Sequence, residues 1–290
     1  MYRAAANTLV ALGGPVGPLE EWKDVILEFR KMADLYDTNP VFSEIAPEHL
    51  YLYLDAGLSA IKLGEKARVR VPSFSLEGSG RSEFRHTLRH LEKSGLSFEI
   101  VPREEVPSVE SGLKAVSDRW LAKKNTKEKG FSLGFFDERY LRFCPHAVLR
   151  QNGRIVAFAN LWIGAEKEEL GPDLVRYDPG IAPNGAMDFL MVRLILWGAE
   201  NGFEWLNLGV APLAGVEDGP FSSIWNRVGS ALYHRTKYFY NFEGLRAYKE
   251  KFDPVWTPVY LAYPGGFSLP RVLADVAILN SGGIQGLFSK

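Results

Sequence analysis

The sequence is poor in the residues that build disulfides and metal centres. One cysteine, Cys144, stands among 290 residues, which excludes an intramolecular disulfide and a cysteine-rich metal site and fits a reducing compartment. Its flanks, RFCPHAV, read as buried packing at a helix end, with no paired base that would mark a nucleophile. The five histidines, at positions 49, 86, 90, 146 and 234, show no HExxH or comparable ligand spacing, so no metal is expected. No run approaches the roughly 20 apolar residues needed to span a bilayer. The opening MYRAAANTLVALGGPVGPLEE has a short apolar stretch broken by Gly and Pro, a poor signal peptide that reads as a linker. An excess of one charge is also missing. The formal net charge of −1 excludes a wholesale basic nucleic-acid binder, and any contact with a polyanion must come from a local patch.

What is present describes a soluble globular chain, with 46% hydrophobic and 24% charged residues, long enough for one large domain or two of ordinary size. Residues 20–36 carry apolar side chains at the spacing of an amphipathic helix. A short strand is expected at 42–45, a helix from Pro47 to Asp55, and two strands at 59–63 and 67–72 separated by the turn residues GEK. Helices over 80–95 and 109–124 flank a strand at 97–102. GFSLGFF, at 130–136, is apolar and punctuated by glycine and should lie against something. A helix over 138–143 precedes strands at 146–151 and 154–163, joined by Asn152-Gly153, the strongest short hairpin signal. Next come a strand through Asp173, Arg176 and Asp178, a Pro/Gly turn, a helix over 187–201 and a strand over 203–210. A helix over 222–235, a strand over 256–263 and a mildly amphipathic tail over 269–290, a candidate aid to membrane docking, complete the order.

Helix, hairpin, strand, helix, strand is the order of an acetyltransferase-like α/β domain, and the first half gives a looser version of it. The expected fold is therefore mixed α/β (α+β), a tandem repeat of two acetyltransferase-like (GNAT) folds joined by a basic helical segment. The expected boundaries are a linker over 1–18, a first domain with a connecting helix over 19–136, and a second domain over 137–290 carrying most of the active site.

Two stretches supply local positive charge. In GRSEFRHTLRHLEKSG, Arg81, Arg85 and Arg89 recur every four residues with Lys93 completing the row, so one helical face is basic. Six basic residues lie between Lys114 and Lys129 against Asp118 and Glu128, with Lys123 and Lys124 at the end of their helix. Contact with an RNA phosphate backbone is one reading of both; an ordinary solvated face is the other.

The turn before the 187–201 helix argues about the donor. A coenzyme A enzyme cradles a pyrophosphate on several backbone N–H groups in a turn of the form Q/R-x-x-G-x-G/A. Here the turn is IAPNGAMDF, in which Pro183 removes a donor and Asp188 brings a negative charge. Coenzyme A is disfavoured, and no cofactor is expected.

Several blocks resemble the catalytic domain of the aminoacyl-phosphatidylglycerol synthases, the multiple peptide resistance factor family. They are EKGFSLGFF at 128–136, IVAFANLW at 155–162, DLVRYDP at 173–179, NGAMDFLMV at 184–192, WLNLGVAPL at 205–213, IWNRVG at 224–229 and YNFEGLRAYKEKFDPVWTPVYLAYP at 240–264. The resemblance implies two acetyltransferase-type folds in tandem. It implies transfer of a lysyl or alanyl group from aminoacyl-tRNA to the glycerol hydroxyl of phosphatidylglycerol, which lowers negative membrane charge and confers resistance to cationic antimicrobial peptides. It further implies action at the cytoplasmic face of a bacterial membrane and a preceding membrane flippase domain of the same polypeptide, absent here. The alternatives are a coenzyme A-dependent N-acyltransferase and a non-catalytic tRNA-binding module.

Such a transfer starts and ends with an ester, so it demands neither ATP nor metal. It needs a base for the lipid hydroxyl and donors for the oxyanion. Asp173 and Arg176, three apart on a strand and so on opposite faces, are the first candidates, with a surface ion pair as the alternative. Asp188 is a second carboxylate, or simply complements the helix start. Lys249 completes the candidate catalytic set. Asn226, Arg227, Tyr240, Glu243, Arg246 and Lys251 are candidates for binding substrate, and Lys249 and Lys251 cannot share one helical face.

Overall fold

A computed structural model of the chain describes residues 1–212 and 242–283, with side chains described throughout except at 242 and 243. The chain divides into two compact units, each drawn from separate stretches: Met1–Ala67, Lys129–Ser132 and Val210–Lys290 form unit 1, and Arg68–Glu128 with Leu133–Gly209 form unit 2.

Unit 1 is a mixed sheet with helices on both faces. Its strands are β1 (Tyr2–Ala5), β2 (Thr8–Leu12), β3 (Asn39–Ile45), β4 (Ser59–Arg70, which continues into unit 2) and β10 (Val255–Tyr263), in the order β1-β2-β3-β10-β4. Its helices are α1 (Trp22–Leu35), α2 (Leu50–Asp55), α7 (Phe242–Glu250) and α8 (Leu269–Asn280). Alternation along β3 and β10 feeds two cores. Val41 and Leu261 pack with Leu269, Val272 and Val276 of α8, whereas Phe42 and Ala262 pack with Ile26 of α1 and Leu52 and Tyr53 of α2.

Three expectations change here. The 1–18 stretch read as a linker contains β1 and β2. The GEK residues do not turn the chain: Ser59 to Arg70 is a single strand in which Glu65 accepts from Lys62, 2.8 Å away, and from Arg246, 2.6 Å away. The apolar stripe of α8, the described helix of the tail, faces inward, and the buried Asp275 at its centre accepts from Thr8 Oγ1 at 2.6 Å. Those apolar residues are core rather than a membrane-facing stripe.

Unit 2 has the strand order β9-β8-β7-β6-β5, from β5 (Leu96–Val101), β6 (His146–Gln151), β7 (Arg154–Ile163), β8 (Glu169–Tyr177) and β9 (Trp205–Pro212, whose end belongs to unit 1). The β6–β7 hairpin turns at Asn152 and Gly153, whose φ values of 50° and 82° are what a two-residue turn of this hand requires. Helices α3 (Ser82–Lys93) and α6 (Ala186–Glu200) pack together, and α6 also packs on β6 and β7. Helix α4 (Val106–Lys124) packs on β7 and β8 around Leu113, Val116, Phe158 and Leu174. At Gly112 a methyl group would come within 2.9 Å of Ile155, which is how closely α4 approaches the sheet.

His146 is fully buried in β6, and its Nδ1 lies 3.0 Å from the Cys144 carbonyl. A carbonyl only accepts, so the neutral ring carries its proton on Nδ1. Burial pushes the imidazole pKa down to about 4 from 6.5. The folded value lies below the unfolded one, so the associated stability is complete above pH 6.5 and is lost as the pH falls toward 4. The loss is about 3 kcal/mol at most. His146→Asn keeps a donor for the Cys144 carbonyl and cannot titrate, so its unfolding free energy should fall less steeply between pH 6.5 and 4 than that of the parent. Equal slopes in denaturant titrations across that range would contradict this.

Candidate active site

Strand β8 is irregular where it carries Asp173. Ala159 pairs with Val175 but Leu161 pairs with Pro172, so β8 holds one residue more than β7 across this interval. Such a bulge re-aims side chains and is common beside functional sites. Its backbone is fixed from two sides: Leu174 N donates to Asn160 Oδ1 at 2.6 Å, and Gly134 lies so close that a methyl group there would stand 2.6 Å from Leu174 N. The glycine of GFSLGFF thus lies against this bulge.

The carboxylate of Asp173 is held by one hydroxyl. Tyr140 Oη donates to Asp173 Oδ2 at 2.6 Å and accepts from Asn160 Nδ2 at 2.9 Å and from Trp162 Nε1. Tyr140 is placed by the short helix α5 (Glu138–Leu141), whose N-cap Asp137 accepts from Tyr140 N at 2.8 Å. Burial raises the Asp173 pKa, opposed by hydrogen bonds from Tyr140 and Asn160 and by the charge of Arg176. Burial and the Asp173 charge together raise the Tyr140 hydroxyl. The result is a half-buried carboxylate with a raised proton affinity, the property wanted in a general base. The nearby Cys144 thiol is raised by burial, which makes it unreactive.

Arg176 has a separate setting. It is 7% exposed, donates to Glu128 Oε2 at 3.1 Å, and stacks its guanidinium 4.1 Å from the Trp120 ring centre. Asp173 and Arg176 are thus two anchored groups with different hydrogen-bond partners rather than a surface ion pair.

Asp178, at the end of β8, is 1% exposed; its Oδ2 pairs with Arg119 and lies 4.0 Å from Arg154, and its Oδ1 accepts from Gly180 N at 2.9 Å. It secures the turn into α6. Asp178→Ala leaves two guanidinium groups without their carboxylate and should cost roughly 2–4 kcal/mol. Thermal unfolding reads this directly, and an unchanged midpoint would contradict it.

In that turn four backbone donors are already engaged. Gly180 N reaches the Asp178 side chain, Ile181 N and Ala182 N reach the Asp178 carbonyl, and Ala186 N reaches the Pro183 carbonyl. Asp188 lies in the first turn of α6, where a negative charge complements the helix start.

Unit 1 holds the second cluster. Lys249 is 6% exposed and donates to the Val210 carbonyl at 3.0 Å. Burial lowers its pKa to about 8, against the charge of Glu44. Glu44 occupies an irregularity of its own: Tyr260 pairs with Ile45 but Ala262 pairs with Phe42, leaving an extra residue in β3, and Glu44 has φ 62°. A glutamate in the left-handed region is uncommon. Burial raises its carboxyl, while Lys66 and Lys249 lower it. Arg246 bonds Glu65 and stacks 4.4 Å from the Trp256 ring centre; Lys251, beyond the end of α7, stands 5.5 Å from the Tyr248 ring centre.

The basic helix forms an open depression of about 420 Å³ lined by Ser82, Arg85, His86, Arg89, His90 and Lys93. Arg81 departs from the expected row. It lies in the turn before α3, with its guanidinium over Phe74 and Phe84 at 5.0 and 5.6 Å. Arg85 also braces the preceding loop through the Leu76 and Gly78 carbonyls. Lys123 and Lys124 are exposed in the last turn of α4, which Asn125 ends in a left-handed conformation. Asn226, Arg227 and Tyr240, with the expected 222–235 helix, lie outside the described residues. Glu243 belongs to α7, but its side chain is not described.

Residues 1–263 match the family described as phosphatidylglycerol lysyltransferase, C-terminal. The chain belongs to this family. It is 40% identical over 271 residues to a phosphatidylglycerol lysyltransferase of Bacillus subtilis (strain 168), an alignment covering 93% of this chain and 31% of that protein. Among solved structures, L-PGS from Bacillus licheniformis is 37% identical with a TM-score of 0.85, covering 97% of this chain and 85% of that one. A chain from Agrobacterium fabrum, described as the C-terminal domain of a lysylphosphatidylglycerol synthetase, is 40% identical with a TM-score of 0.87, covering 99% and 87%. The chain spans about a third of the length of the curated family members it matches. No described helix is long and apolar enough to cross a membrane. Sequence reasoning singled out Asp173, Arg176 and Lys249 as candidates and did not single out Tyr140, Asn160 or Glu44, whose hydrogen bonds and strand irregularity depend on partners far along the chain.

Proposed function

We propose that this chain carries out the aminoacyl-transfer step of its family, moving a lysyl group from aminoacyl-tRNA to the glycerol hydroxyl of phosphatidylglycerol. The family match over residues 1–263 carries the reading, and the setting of Asp173 supplies chemistry the reaction needs. In the proposed step the lipid hydroxyl oxygen forms a bond to the ester carbonyl carbon while its proton passes to the Asp173 carboxylate. The tetrahedral intermediate then expels the ribose oxygen, which takes up a proton. Lys249, in unit 1, stays in the proposed catalytic set on its chemistry alone, since an amine ionising near pH 8 can transfer a proton. Arg176 and Asp188 remain in the proposed catalytic set, and Asn226, Arg227, Tyr240, Glu243, Arg246 and Lys251 in the proposed substrate-binding set. The basic depression on α3, with Lys123 and Lys124, is assigned to tRNA phosphate; Arg81, which stacks on two phenylalanines, fits that role less well.

The two units are read as two acetyltransferase-like folds, on element order and on the parallel β8–β9 pair connected through α6. Action at the cytoplasmic face of the membrane, a preceding flippase domain and a contribution to resistance against cationic peptides belong to the same proposal. A coenzyme A-dependent reaction is the weaker reading, because four backbone donors around the β8–α6 turn are engaged within the turn. The test is incubation with phosphatidylglycerol vesicles and a panel of charged tRNAs, scoring new lipid by chromatography. Lysyl-phosphatidylglycerol formed only with lysyl-tRNA is the expected product; no aminoacyl lipid with any tRNA would overturn the reading.

A further inference from the structure

Unit 2 contains an open cleft of about 530 Å³ whose lining includes Phe143, Pro145, Leu161, Trp162, Glu169 and Asn207. Its volume lies within the roughly 300–1,000 Å³ of small-molecule sites. The walls are apolar and exposed: Phe143 is 78% accessible, Trp162 50% and Ile163 47%. Adjoining large apolar side chains left open to water point to an occupant.

One end of the cleft is polar and ordered. Asn207 Oδ1 accepts from Gly209 N at 2.8 Å, which fixes the amide so that Nδ2 donates to Glu169 Oε1, also at 2.8 Å. Glu169 Oε2 lies 3.8 Å from Arg68, longer than a hydrogen bond, and the Arg68 guanidinium stands over the Trp205 ring at 4.8 Å. Among the described residues, then, one carboxylate oxygen is held and the other is left to receive a donor. Carboxylate, indole face and aliphatic wall together suit a primary ammonium on a methylene stem.

The cleft is also tied to Asp173. Trp162, in its wall, donates to the Tyr140 hydroxyl that holds Asp173. Glu169 and Asp173 are four residues apart on β8, at most about 13 Å along a strand and less where the bulge bends it. In a lysyl ester six bonds separate the carbonyl carbon from the ε-nitrogen, as many as in two extended backbone residues, or about 7 Å. A hydrogen bond of about 3 Å from the ammonium to Glu169 brings the reach to about 10 Å, and the lipid hydroxyl that Asp173 deprotonates lies between Asp173 and the carbonyl carbon in the remainder.

We propose that this cleft receives the side chain of the transferred amino acid, and that Glu169 selects an amine-bearing one. The inference rests on the aminoacyl-transfer reading and deepens it by naming the carboxylate that distinguishes lysyl from apolar donors.

The test compares binding of L-lysine methyl ester and L-norleucine methyl ester, which share a stem and differ in the terminal amine, by calorimetry or NMR titration on the full chain. The parent should prefer the lysine ester. Glu169→Gln, which keeps the acceptor for Asn207, should weaken the lysine ester at least tenfold and leave the norleucine ester unchanged. Trp162→Leu, which removes the indole face, should weaken the lysine ester more than the norleucine ester. No preference in the parent, no binding of either ester at millimolar concentration, or a lysine preference that survives Glu169→Gln would overturn the proposal. The lipid assay separates this from the parent reading. Ester selectivity that depends on Glu169 without any lipid product leaves the cleft assigned and removes the transferase reading. Lysyl transfer whose preference over alanyl-tRNA is unchanged in Glu169→Gln does the reverse.

Discussion

Lys249→Met should raise the unfolding free energy at pH 7 by about 1–2 kcal/mol while reducing aminoacyl transfer by roughly 10²–10⁴-fold. The stability gain follows from the position of the amine. Lys249 is buried, and burial lowers its pKa from 10.5 to about 8. The folded value lies below the unfolded one, so its contribution is fully present above pH 10.5 and is lost as the pH falls through 8. At pH 7 the ammonium is buried at a cost of about 3 kcal/mol. Methionine fills a similar volume without charge. Against the gain stand the Val210 carbonyl, which loses its donor, worth about 1 kcal/mol, and Glu44, which loses one of two favourable cations. Denaturant unfolding at pH 7 and 9 checks the sign, since the advantage of methionine should shrink as the parent amine deprotonates. Lys249→Arg keeps the charge but cannot release a proton, so it should be as inactive as methionine and less stable. Activity retained in arginine would remove the proton-transfer role and leave only an ionic one.

A buried lysine kept against a stability cost is the kind of local conflict expected at a working site. Glu44 at φ 62° in a strand bulge is another in the same unit. Neither conflict could be read from the chain. The hairpin was legible because its signal is local: Asn152-Gly153 needs no partner to favour positive φ. The longer helices among the described residues were legible because their apolar spacing is a property of one segment. By contrast, GEK carries turn residues, yet Glu65 and its neighbours stay extended in β4. The bulges at Glu44 and Asp173 exist only relative to the register of a neighbouring strand. The basic face of α3 was visible in the spacing of its arginines, but the stacking of Arg81 on Phe74 and Phe84 and the bracing of carbonyls by Arg85 required the loop before the helix. Tyr140 was hidden for a related reason. It sits in a four-residue helix and acquires its role from Asn160, Trp162 and Asp173, which are 20 to 33 residues away.

That hydroxyl is also where the assignment of Asp173 can be tested most sharply. Asp173→Asn keeps the size of the side chain and an acceptor for Tyr140 but cannot take a proton, so aminoacyl transfer should fall by about 10²–10⁴-fold with little loss of folded protein. Tyr140→Phe should produce a different signature. Burial raises the Asp173 pKa and the Tyr140 hydrogen bond opposes it. Without that donor the carboxyl climbs further, and since a base works only when ionised, the acid limb of the pH–rate profile should move to higher pH. Activity lost near neutrality should then recover at alkaline pH. The phenylalanine variant also leaves Asn160 Nδ2 and Trp162 Nε1 without their acceptor, at a cost of roughly 1–3 kcal/mol. A lower melting temperature alone therefore says nothing about catalysis. A profile scaled down equally at every pH would make Tyr140 structural, and an active Asp173→Asn enzyme would remove the general base from this strand altogether.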